Sequence, residues 1–257
     1  MASYAGIKGR VYVVTGAASG IGRATVLKLA QLGAKGVAIS DLNEAGLEET
    51  KKLAAEYATK IVNTKLDVSK ISEIEAWIDA SVKEFGQLDG AANVAGLAGG
   101  DGNTTVATLD QSVWDRTLGV NLTGLMACMR RELKYLPQPG GAIVNVASTA
   151  GLRGLPLSAA YSTSKFGVVG LTQSAAGEFG EKGVRINAVC PGPIDTAIFR
   201  DGEKKGLFDA NIMSAGTYLK RMGKASEIAN VIVFLLSEDS SFVCGSAWAA
   251  DGGYTAH

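Results

Sequence analysis

The feature that most limits the fold of this 257-residue chain is a regular alternation of short apolar, β-branched segments with longer amphipathic segments. This alternation is typical of βαβ units, in which parallel strands form one sheet and helices cover both of its faces. The predicted strands are Arg10–Thr15, Gly36–Ser40, Lys60–Leu66, Leu88–Asn93, Ala142–Ala147, Arg185–Cys190 and Ser246–Ala250. The predicted helices are Gly20–Leu32, Glu44–Glu56, Ile71–Phe85, Leu109–Leu136, Ala159–Glu181 and Ala225–Leu236. We therefore predict an α/β fold with a doubly wound, parallel, seven-stranded sheet.

The pattern also indicates how the chain is divided. Residues 1–257 contain no Pro- or Ser-rich linker and no charge run, so we predict a single domain. The segment Pro193–Gly223 is richer in glycine and charge, has weak periodicity and follows the sixth strand. Because long irregular segments inside a domain are usually lids or binding loops, we predict that it covers the substrate.

Composition excludes several function classes. Lys plus Arg and Asp plus Glu number 25 each, so no basic excess is available to neutralise nucleic-acid phosphates. The chain has neither a secretory pattern at its start nor an apolar run of the roughly 18 residues that a membrane span needs. The three cysteines are isolated and the only histidine is His257, which excludes a His-containing metal site and a Ser-His-Asp triad. We predict a soluble, reduced, cytoplasmic protein with no metal, nucleic-acid or membrane partner.

A glycine-rich turn joins the first strand to the first helix. Thr15–Arg23 reads TGAASGIGR, and such glycines let the backbone approach a pyrophosphate at the helix N-terminus. The spacing is GxxxGxG rather than GxGxxG, so a purely structural turn is the alternative.

Asp41 ends the second predicted strand, 19 residues after Gly22. A carboxylate there can accept both ribose hydroxyls of adenosine and would repel a 2′-phosphate, which favours NAD over NADP. A basic residue at Ala18 or after the strand would favour an NADPH reductase, and neither is present. The alternative role for Asp41 is to cap the helix that begins near Glu44.

The candidate chemical residues lie in the second half of the chain. Tyr161 and Lys165 are four residues apart in a helical pattern and emerge on one face, where a cation favours the phenolate. Ser148 follows the fifth strand, where it could hold a substrate oxygen. Asn121 falls inside the long predicted helix, where asparagine is unfavourable without a specific role. A surface pair for Tyr161 and Lys165, and a helix kink at Asn121, are the alternatives.

Taken together, these motifs resemble the short-chain dehydrogenase/reductase family over essentially the whole chain. Its TGxxxGxG corresponds to Thr15–Gly22, its NNAG to Asn93–Gly96, and its Asn-Ser-Tyr-Lys tetrad to Asn121, Ser148, Tyr161 and Lys165. Its PG segment matches residues 191–196, and its usual ending matches residues 251–253. Val94 replaces the second asparagine of NNAG, and residues 90–96 are similar to fungal members that act in secondary metabolism.

The resemblance implies a Rossmann-type fold and a role for each matched residue. Tyr161 would be the acid/base, Lys165 would lower its pKa and hold the nicotinamide ribose, Ser148 would fix the substrate carbonyl, and Asn121 would support a proton-relay water. Ile21 would contact the pyrophosphate, Asp41 the adenosine ribose, Asp67 and Val68 the adenine, Asn93 the adjacent ribose region, and Ile194 and Thr196 the carboxamide. The full predicted NAD site is Gly16, Ser19, Gly20, Ile21, Gly22, Asp41, Asp67, Val68, Asn93, Ala95, Gly96, Tyr161, Lys165, Pro191, Ile194 and Thr196.

The expected activity is NAD(H)-dependent interconversion of a secondary alcohol and a ketone. Mostly small and apolar residues in 97–102, 150–156 and 193–223, with Phe199, Phe208, Met213 and Tyr218, suit an apolar, cyclic substrate. A redox-neutral epimerase or cyclase that uses bound NAD(H), and a non-catalytic NAD sensor, are the alternatives. The resemblance also implies a homotetramer or homodimer, whose interfaces the helices Leu109–Leu136 and Ala159–Glu181 could supply.

Overall fold

A computed structural model of the chain describes residues 4–99, 103–204, 206 and 209–256. Within them the strands are β1 (Val11–Thr15), β2 (Gly36–Asp41), β3 (Lys60–Lys65), β4 (Gly90–Asn93), β5 (Ala142–Val146), β6 (Arg185–Pro191), β7 (Ile194–Asp195), β8 (Gly223–Lys224) and β9 (Ala247–Ala250). Seven of these form one parallel sheet in the order β3-β2-β1-β4-β5-β6-β9. The prediction of a doubly wound, seven-stranded parallel sheet is confirmed, and the predicted strand ends differ from the observed ones by one or two residues.

Helices cover both faces of the sheet. They are α1 (Gly20–Gln31), α2 (Glu44–Leu53), α3 (Ile71–Phe85), α4 (Gln111–Leu118), α5 (Leu125–Glu132), α6 (Ala159–Phe179), α7 (Ala197–Lys204), α8 (Ala210–Ala215) and α9 (Ala225–Leu236). Among the described residues, no helix is both long and apolar enough to cross a membrane.

The two faces follow from the alternation of side chains along each strand. In β1, Tyr12 and Val14 pack into a core with residues of α1, α2 and α9, whereas Val11 and Val13 pack into a second core with residues of α3, α5 and α6. Because β1 is buried on both faces, its sequence VYVVT is apolar without interruption, as expected for a central parallel strand.

The helix predicted over Leu109–Leu136 is shorter than predicted and is not α-helical throughout. It begins at Gln111, passes through a π-helical turn at Gly119–Gly124 and ends at Glu132. A π turn is a local widening of a helix that often occurs at a functional site. Here it brings Gly124 against Val68, since a Cβ built on Gly124 would lie 2.2 Å from the Val68 carbonyl oxygen.

The segment 193–223 is more regular than the sequence predicted. Its ends are joined by the two-stranded pair of β7 and β8, in which Ile194 pairs with Gly223. Between them lie the short helices α7 and α8, and Asp209 caps α8 by accepting hydrogen bonds from the backbone N–H groups of Asn211 and Ile212. This segment, called the cover below, follows the carboxyl end of β6.

Candidate active site

The site begins at the glycine-rich turn after β1, where backbone packs directly on backbone. Gly16 has φ +69°, and a Cβ there would lie 2.8 Å from the Ala95 nitrogen. A Cβ on Gly22 would lie 2.1 Å from the carbonyl oxygen of Gly16. Ser19 precedes α1 and makes no side-chain capping hydrogen bond with the described residues, so the first N–H groups of α1 face the cavity uncapped. Such a helix N-terminus binds phosphate oxygens.

Asp41 lies beside this turn at the end of β2. Its carboxylate accepts hydrogen bonds from the backbone N–H of Ala18 at 3.1 Å and of Asn43 at 3.0 Å. The cap of α2 is Asn43, whose side chain accepts from the Gly46 N–H. Asp41 therefore does not cap α2, the alternative that its sequence position allowed.

Arg23 is directed away from the cavity. Its guanidinium donates to the carboxylate of Glu49 at 2.7 Å, to the Thr50 hydroxyl at 3.0 Å and to the Ala18 carbonyl oxygen. These bonds attach the glycine-rich turn to α2, and they leave Asp41 as the charged side chain that faces the cavity there.

Asp67 and Val68 follow β3 and form the next part of the wall. The Asp67 carboxylate accepts hydrogen bonds from the N–H and the hydroxyl of Ser69, and these bonds hold the pKa of Asp67 below its usual value. It is therefore an ionised turn residue whose remaining carboxylate surface borders the cavity.

Tyr161 and Lys165 lie one turn apart on α6, as predicted. The Lys165 ammonium is 5.7 Å from the centre of the Tyr161 ring and donates to the Val146 carbonyl oxygen at 2.9 Å. Burial lowers the pKa of Lys165 to about 8. Burial raises the pKa of Tyr161, and the nearby Ser148 hydroxyl opposes that increase.

Ser148 follows β5, and its position is fixed by a local cap. Its hydroxyl oxygen accepts from the Ala150 N–H at 3.1 Å, which begins the short 3-10 turn Thr149–Gly151. Ser148 thus lies two residues beyond the end of β5, and both it and Tyr161 line the cavity. A carbonyl or alcohol oxygen placed between these two hydroxyl groups could be bound by both.

Asn121 lies in the π-helical turn and is fully buried. Its side-chain oxygen accepts from the Leu97 N–H at 2.9 Å, and its side-chain nitrogen donates to the Leu97 carbonyl and to the Ser164 hydroxyl. The amide therefore attaches the chain that follows β4 to α6. Asn121 itself does not line the cavity, and a role in a proton-relay water stays a prediction.

One cavity of about 840 Å³ connects these features along the carboxyl edge of the sheet. The predicted site residues that line it are Gly16, Ser19, Gly20, Ile21, Gly22, Asp41, Asp67, Val68, Ala95, Gly96, Ser148, Tyr161, Lys165, Pro191, Ile194 and Thr196. Like Asn121, the predicted site residue Asn93 does not line the cavity. Its side chain is buried and donates to Glu132 and Asn145. The Asn93 side chain is therefore directed away from the cavity, and contact of Asn93 with the adjacent ribose region stays a prediction.

Apolar side chains also line the cavity. Phe199 and Met213 of the cover line it, as predicted, whereas Tyr218 is 59% exposed and donates its hydroxyl to the Ala256 carbonyl. Phe208 and residues 100–102 lie outside the described residues. Ile198, which lies in the predicted segment Pro193–Gly223 but was not singled out, also lines the cavity. Sequence reasoning missed Tyr254, for which the position directly after the Asp251–Gly253 motif was the available signal.

Within the described part of the chain, no group of three or more His, Cys, Asp or Glu side chains could hold a metal ion. The side chains near the Ser148 end of the cavity that can exchange or share a proton include the Tyr161 phenol, the Lys165 ammonium and the Ser148 hydroxyl.

Comparison with known proteins is consistent with this geometry. A family model described as Enoyl-(Acyl carrier protein) reductase matches residues 16–255. The chain is 44% identical to the short-chain dehydrogenase/reductase ABA4 of Pyricularia oryzae, over 96% of this chain and 93% of that protein. The crystal structure of levodione reductase superposes with a TM-score of 0.92 at 36% identity, covering 97% of this chain and 98% of that one.

Two further solved structures contain a nicotinamide cofactor. One is an actinorhodin polyketide ketoreductase with NADPH, at 30% identity and a TM-score of 0.89, covering 98% of this chain and 100% of the other. The second is an NAD+-bound xylitol dehydrogenase, at 31% identity and a TM-score of 0.90, covering 96% of this chain and 100% of the other. Proteins with this fold thus use either dinucleotide.

Proposed function

This chain belongs to the short-chain dehydrogenase/reductase family, and on that premise we propose that it is an NAD(H)-dependent enzyme that interconverts a secondary alcohol and a ketone on an apolar cyclic molecule. The family accounts for oxidoreductase chemistry with a nicotinamide dinucleotide. The observation that supports the finer proposal is one continuous cavity, with Asp41 at one end, Ser148 and Tyr161 at the other, and Phe199 and Met213 beside them.

The residues of the turn fit a dinucleotide. Glycine at positions 16 and 22 lets the backbone of the turn pack closely on itself and on Ala95, since a built Cβ would lie 2.8 Å and 2.1 Å from backbone atoms. The turn, with Ser19 and Gly20, lines the cavity beside the N-terminus of α1. The uncapped N-terminus of α1 would hold the pyrophosphate, and Ile194 and Thr196 would hold the carboxamide at the far end. When bound, the nicotinamide supplies or accepts the hydride.

Tyr161 and Ser148 would handle the proton and the substrate oxygen. In reduction, Tyr161 donates its phenolic proton to the carbonyl oxygen while Ser148 donates a hydrogen bond to the same oxygen; oxidation is the reverse. The Lys165 ammonium, 5.7 Å from the phenol ring, stabilises the phenolate left behind. Because burial lowers the pKa of Lys165 to about 8, this stabilisation weakens above that pH.

The choice of NAD follows from Asp41. Its carboxylate borders the cavity beside the turn, and Ala18 offers no cation to a 2′-phosphate. Arg23 is occupied by Glu49, Thr50 and the Ala18 carbonyl oxygen. An anionic 2′-phosphate at this position would therefore meet a fixed negative charge and no described positive partner facing it.

The test combines cofactor titration with turnover. NAD(H) and NADP(H) are titrated by fluorescence, and cyclic secondary alcohols and their ketones are then assayed at saturating cofactor. Tyr161→Phe removes only the proton donor, so we expect NAD(H) affinity to stay within about twofold while kcat falls by about 10²- to 10⁴-fold. Asp41→Asn removes the charge but keeps an acceptor, so we expect NAD(H) to bind about tenfold more weakly and NADP(H) more tightly. Glu48→Gln, an exposed carboxylate on α2, is the matched control.

Each outcome has a defined meaning. NAD(H) binding with turnover that Tyr161→Phe leaves unchanged would exclude Tyr161 as the acid/base. Binding without net oxidation on a broad panel would favour a redox-neutral epimerase or cyclase, or a sensor. A preference of the unaltered protein for NADP(H) would contradict the role given to Asp41.

Assembly is a further part of the proposal. Phe166 on α6, Phe242 after α9 and Trp248 in β9 are exposed apolar side chains. Such positions suit contacts between copies of the chain. A homotetramer or homodimer remains the prediction.

A further inference from the structure

A carboxyl group that the proposed chemistry does not use is buried beneath the cofactor wall. Glu132 is the last residue of α5 and is 0% exposed. The adjacent Arg130 and Arg131 point outward and pair with Glu75 and Asp79 on α3. No cation is paired with Glu132 among the described residues, and an unpaired buried carboxylate is strongly unfavourable.

Glu132 is bound by the amide of Asn93, from which a short chain of buried hydrogen bonds continues. The Asn93 side-chain nitrogen donates to Glu132 Oε2 at 3.1 Å and to Asn145 Oδ1 at 3.1 Å. Asn145 in turn donates to the Thr172 hydroxyl at 3.0 Å. Two buried oxygens of this group lack a partner among the described residues, and they are Glu132 Oε1 and Asn93 Oδ1.

A proton on Glu132 accounts for both oxygens at once. A carboxylic acid and a primary amide can form two hydrogen bonds side by side, one from the amide N–H to the acid carbonyl and one from the acid O–H to the amide oxygen. Asn93 and Glu132 already form the first, and their unpartnered oxygens are the two atoms that the second would join. The same burial raises the pKa of Glu132 to about 8.

The position of Asn93 links this pair to the cavity. Asn93 ends β4, and Val94 and Ala95 follow with their N–H groups donating to the Thr15 hydroxyl at 3.0 Å and 3.1 Å. Ala95 then packs on Gly16 and, like Val94, lines the cavity. The end of β4 is thus held by the Thr15 hydroxyl at the end of β1 and by the hydrogen bonds of the buried Asn93 side chain.

We propose that Glu132 is held as a neutral acid and, through its two hydrogen bonds with Asn93, is a positioning residue for the segment Val94–Gly96 of the cofactor wall. Ionisation of Glu132 breaks one of these bonds and leaves a buried charge. The end of β4 then loses its support, and the dinucleotide binds more weakly.

The pH dependence expected from Glu132 depends on whether the groups packed around it also titrate. Cys128, one turn earlier on α5, is buried and its pKa is raised well above the usual value, so it stays neutral with Glu132. From β4, β5 and α6 the facing groups are Asn93, Asn145 and Thr172, which do not titrate. From α3 the charged groups Glu75 and Asp79 are paired with arginines at the surface.

Because the folded pKa of about 8 lies above the unfolded value of 4.5, the folded state binds an extra proton between these limits. The stabilisation is fully present below the unfolded pKa and is lost as pH rises through the folded one. Within this window the unfolding equilibrium constant increases by up to about tenfold per pH unit.

The experiment uses three variants of the full chain. Glu132→Gln keeps both hydrogen bonds, with its amide nitrogen as donor to Asn93, and cannot ionise. Glu132→Met removes both, and Glu178→Gln alters an exposed carboxylate on α6 as the matched control. For each, denaturant unfolding and the dissociation constant of NAD(H), or of NADP(H) if that binds instead, are measured from about pH 5 to about pH 9. Infrared spectra record the carbonyl stretch of a protonated carboxylic acid.

We expect the unaltered protein and Glu178→Gln to show a buried acid band at neutral pH, which Glu132→Gln lacks. Their dinucleotide dissociation constants should increase more steeply as pH passes about 8 than that of Glu132→Gln, in which the change that remains there is that of Lys165. Glu132→Gln should also lose the extra pH dependence of unfolding, and Glu132→Met should bind weakly at every pH.

Three results would overturn the proposal. Absence of the acid band below neutral pH would show an ionised Glu132, bridged to Asn93 in another way. Equal pH dependence of dinucleotide binding in the unaltered protein and Glu132→Gln would remove the positioning role. Weak binding by Glu132→Gln at all pH values would show that the negative charge itself is required. The infrared and unfolding measurements do not involve the cofactor, so they separate failure of this inference from failure of the proposed NAD specificity.

Discussion

The glycine-rich turn and the cover lie on opposite sides of one cavity and are built differently. In the turn, backbone contacts backbone: Gly22 approaches the Gly16 carbonyl and Gly16 approaches Ala95 too closely for any side chain. In the cover, two short helices present apolar side chains, some of which are largely exposed, such as Ile212 at 72%. The turn therefore admits little variation, whereas the cover can change its side chains without altering the sheet. Recognition of the dinucleotide and recognition of the substrate can thus be separated by mutation.

The largest expected effect comes from adding a Cβ atom to a glycine of the glycine-rich turn. Gly22→Ala places a Cβ about 2 Å from a backbone oxygen that cannot move without shifting β1, so we expect destabilisation of about 3 kcal/mol or more and loss of dinucleotide binding. Gly177→Ala is the matched control, since Gly177 lies in the exposed part of α6 with no atom within 4 Å of its built Cβ. It should stabilise the protein by about 0.5–1 kcal/mol.

Denaturant unfolding and NAD(H) titration of both variants measure these effects. If Gly22→Ala unfolded at the same denaturant concentration as Gly177→Ala and bound NAD(H) normally, the turn would be as adaptable as the cover, and the contrast between the two regions would be lost.

The same contrast explains what the sequence could predict. The turn depends on residue types with a single physical reason to be present, namely glycine where no Cβ fits and a carboxylate at the end of β2. Helical spacing predicted that Tyr161 and Lys165 share one face of α6, whereas the catalytic roles proposed for them come from the resemblance to the family. These positions could be assigned without knowledge of distant contacts.

Other features depend on partners far away in the chain. The side chain of Asn93 is bound to Glu132, 39 residues later, and Asn121 to Leu97, 24 residues earlier. Nothing in the local pattern distinguishes those destinations from the cavity. The π-helical turn and the short helices α7 and α8 were missed because each is too brief to produce a clear hydrophobic period.

A smaller effect is expected within the cover. Met213 lines the cavity, and the preceding Ile212 on the same helix is exposed. Substitutions at these two positions therefore distinguish an effect on the cavity wall from an effect on the helix. Met213→Ala removes apolar contact with the substrate, and we expect its KM to increase by about 5- to 20-fold with NAD(H) affinity unchanged. Ile212→Ala should change neither.

Steady-state kinetics with the best cyclic alcohol, together with NAD(H) titration, measure both constants. A parallel loss of NAD(H) affinity in Met213→Ala would mean that the cover also holds the dinucleotide, which would join the two regions into one recognition surface.

The smallest effect is expected where the cover joins the sheet. Arg221 pairs with Glu227 at 2.7 Å, and this pair and the Lys224 N–H lower the pKa of Glu227 to about 2. A lowered folded pKa stabilises the protein above the unfolded value of 4.5, and that stabilisation is lost as pH falls through about 2.

Glu227→Gln keeps an acceptor for the Lys224 N–H and removes the charge. Since both side chains are more than 40% exposed, solvent screening limits the expected loss at neutral pH to about 0.5–1 kcal/mol. Denaturant unfolding should show this difference at neutral pH and a smaller one as the pH is lowered toward about 3. A loss of stability as large as that of Gly22→Ala would instead mean that the region where β7 and β8 join the sheet tolerates as little change as the glycine-rich turn. Only the helices α7 and α8 could then vary with the substrate.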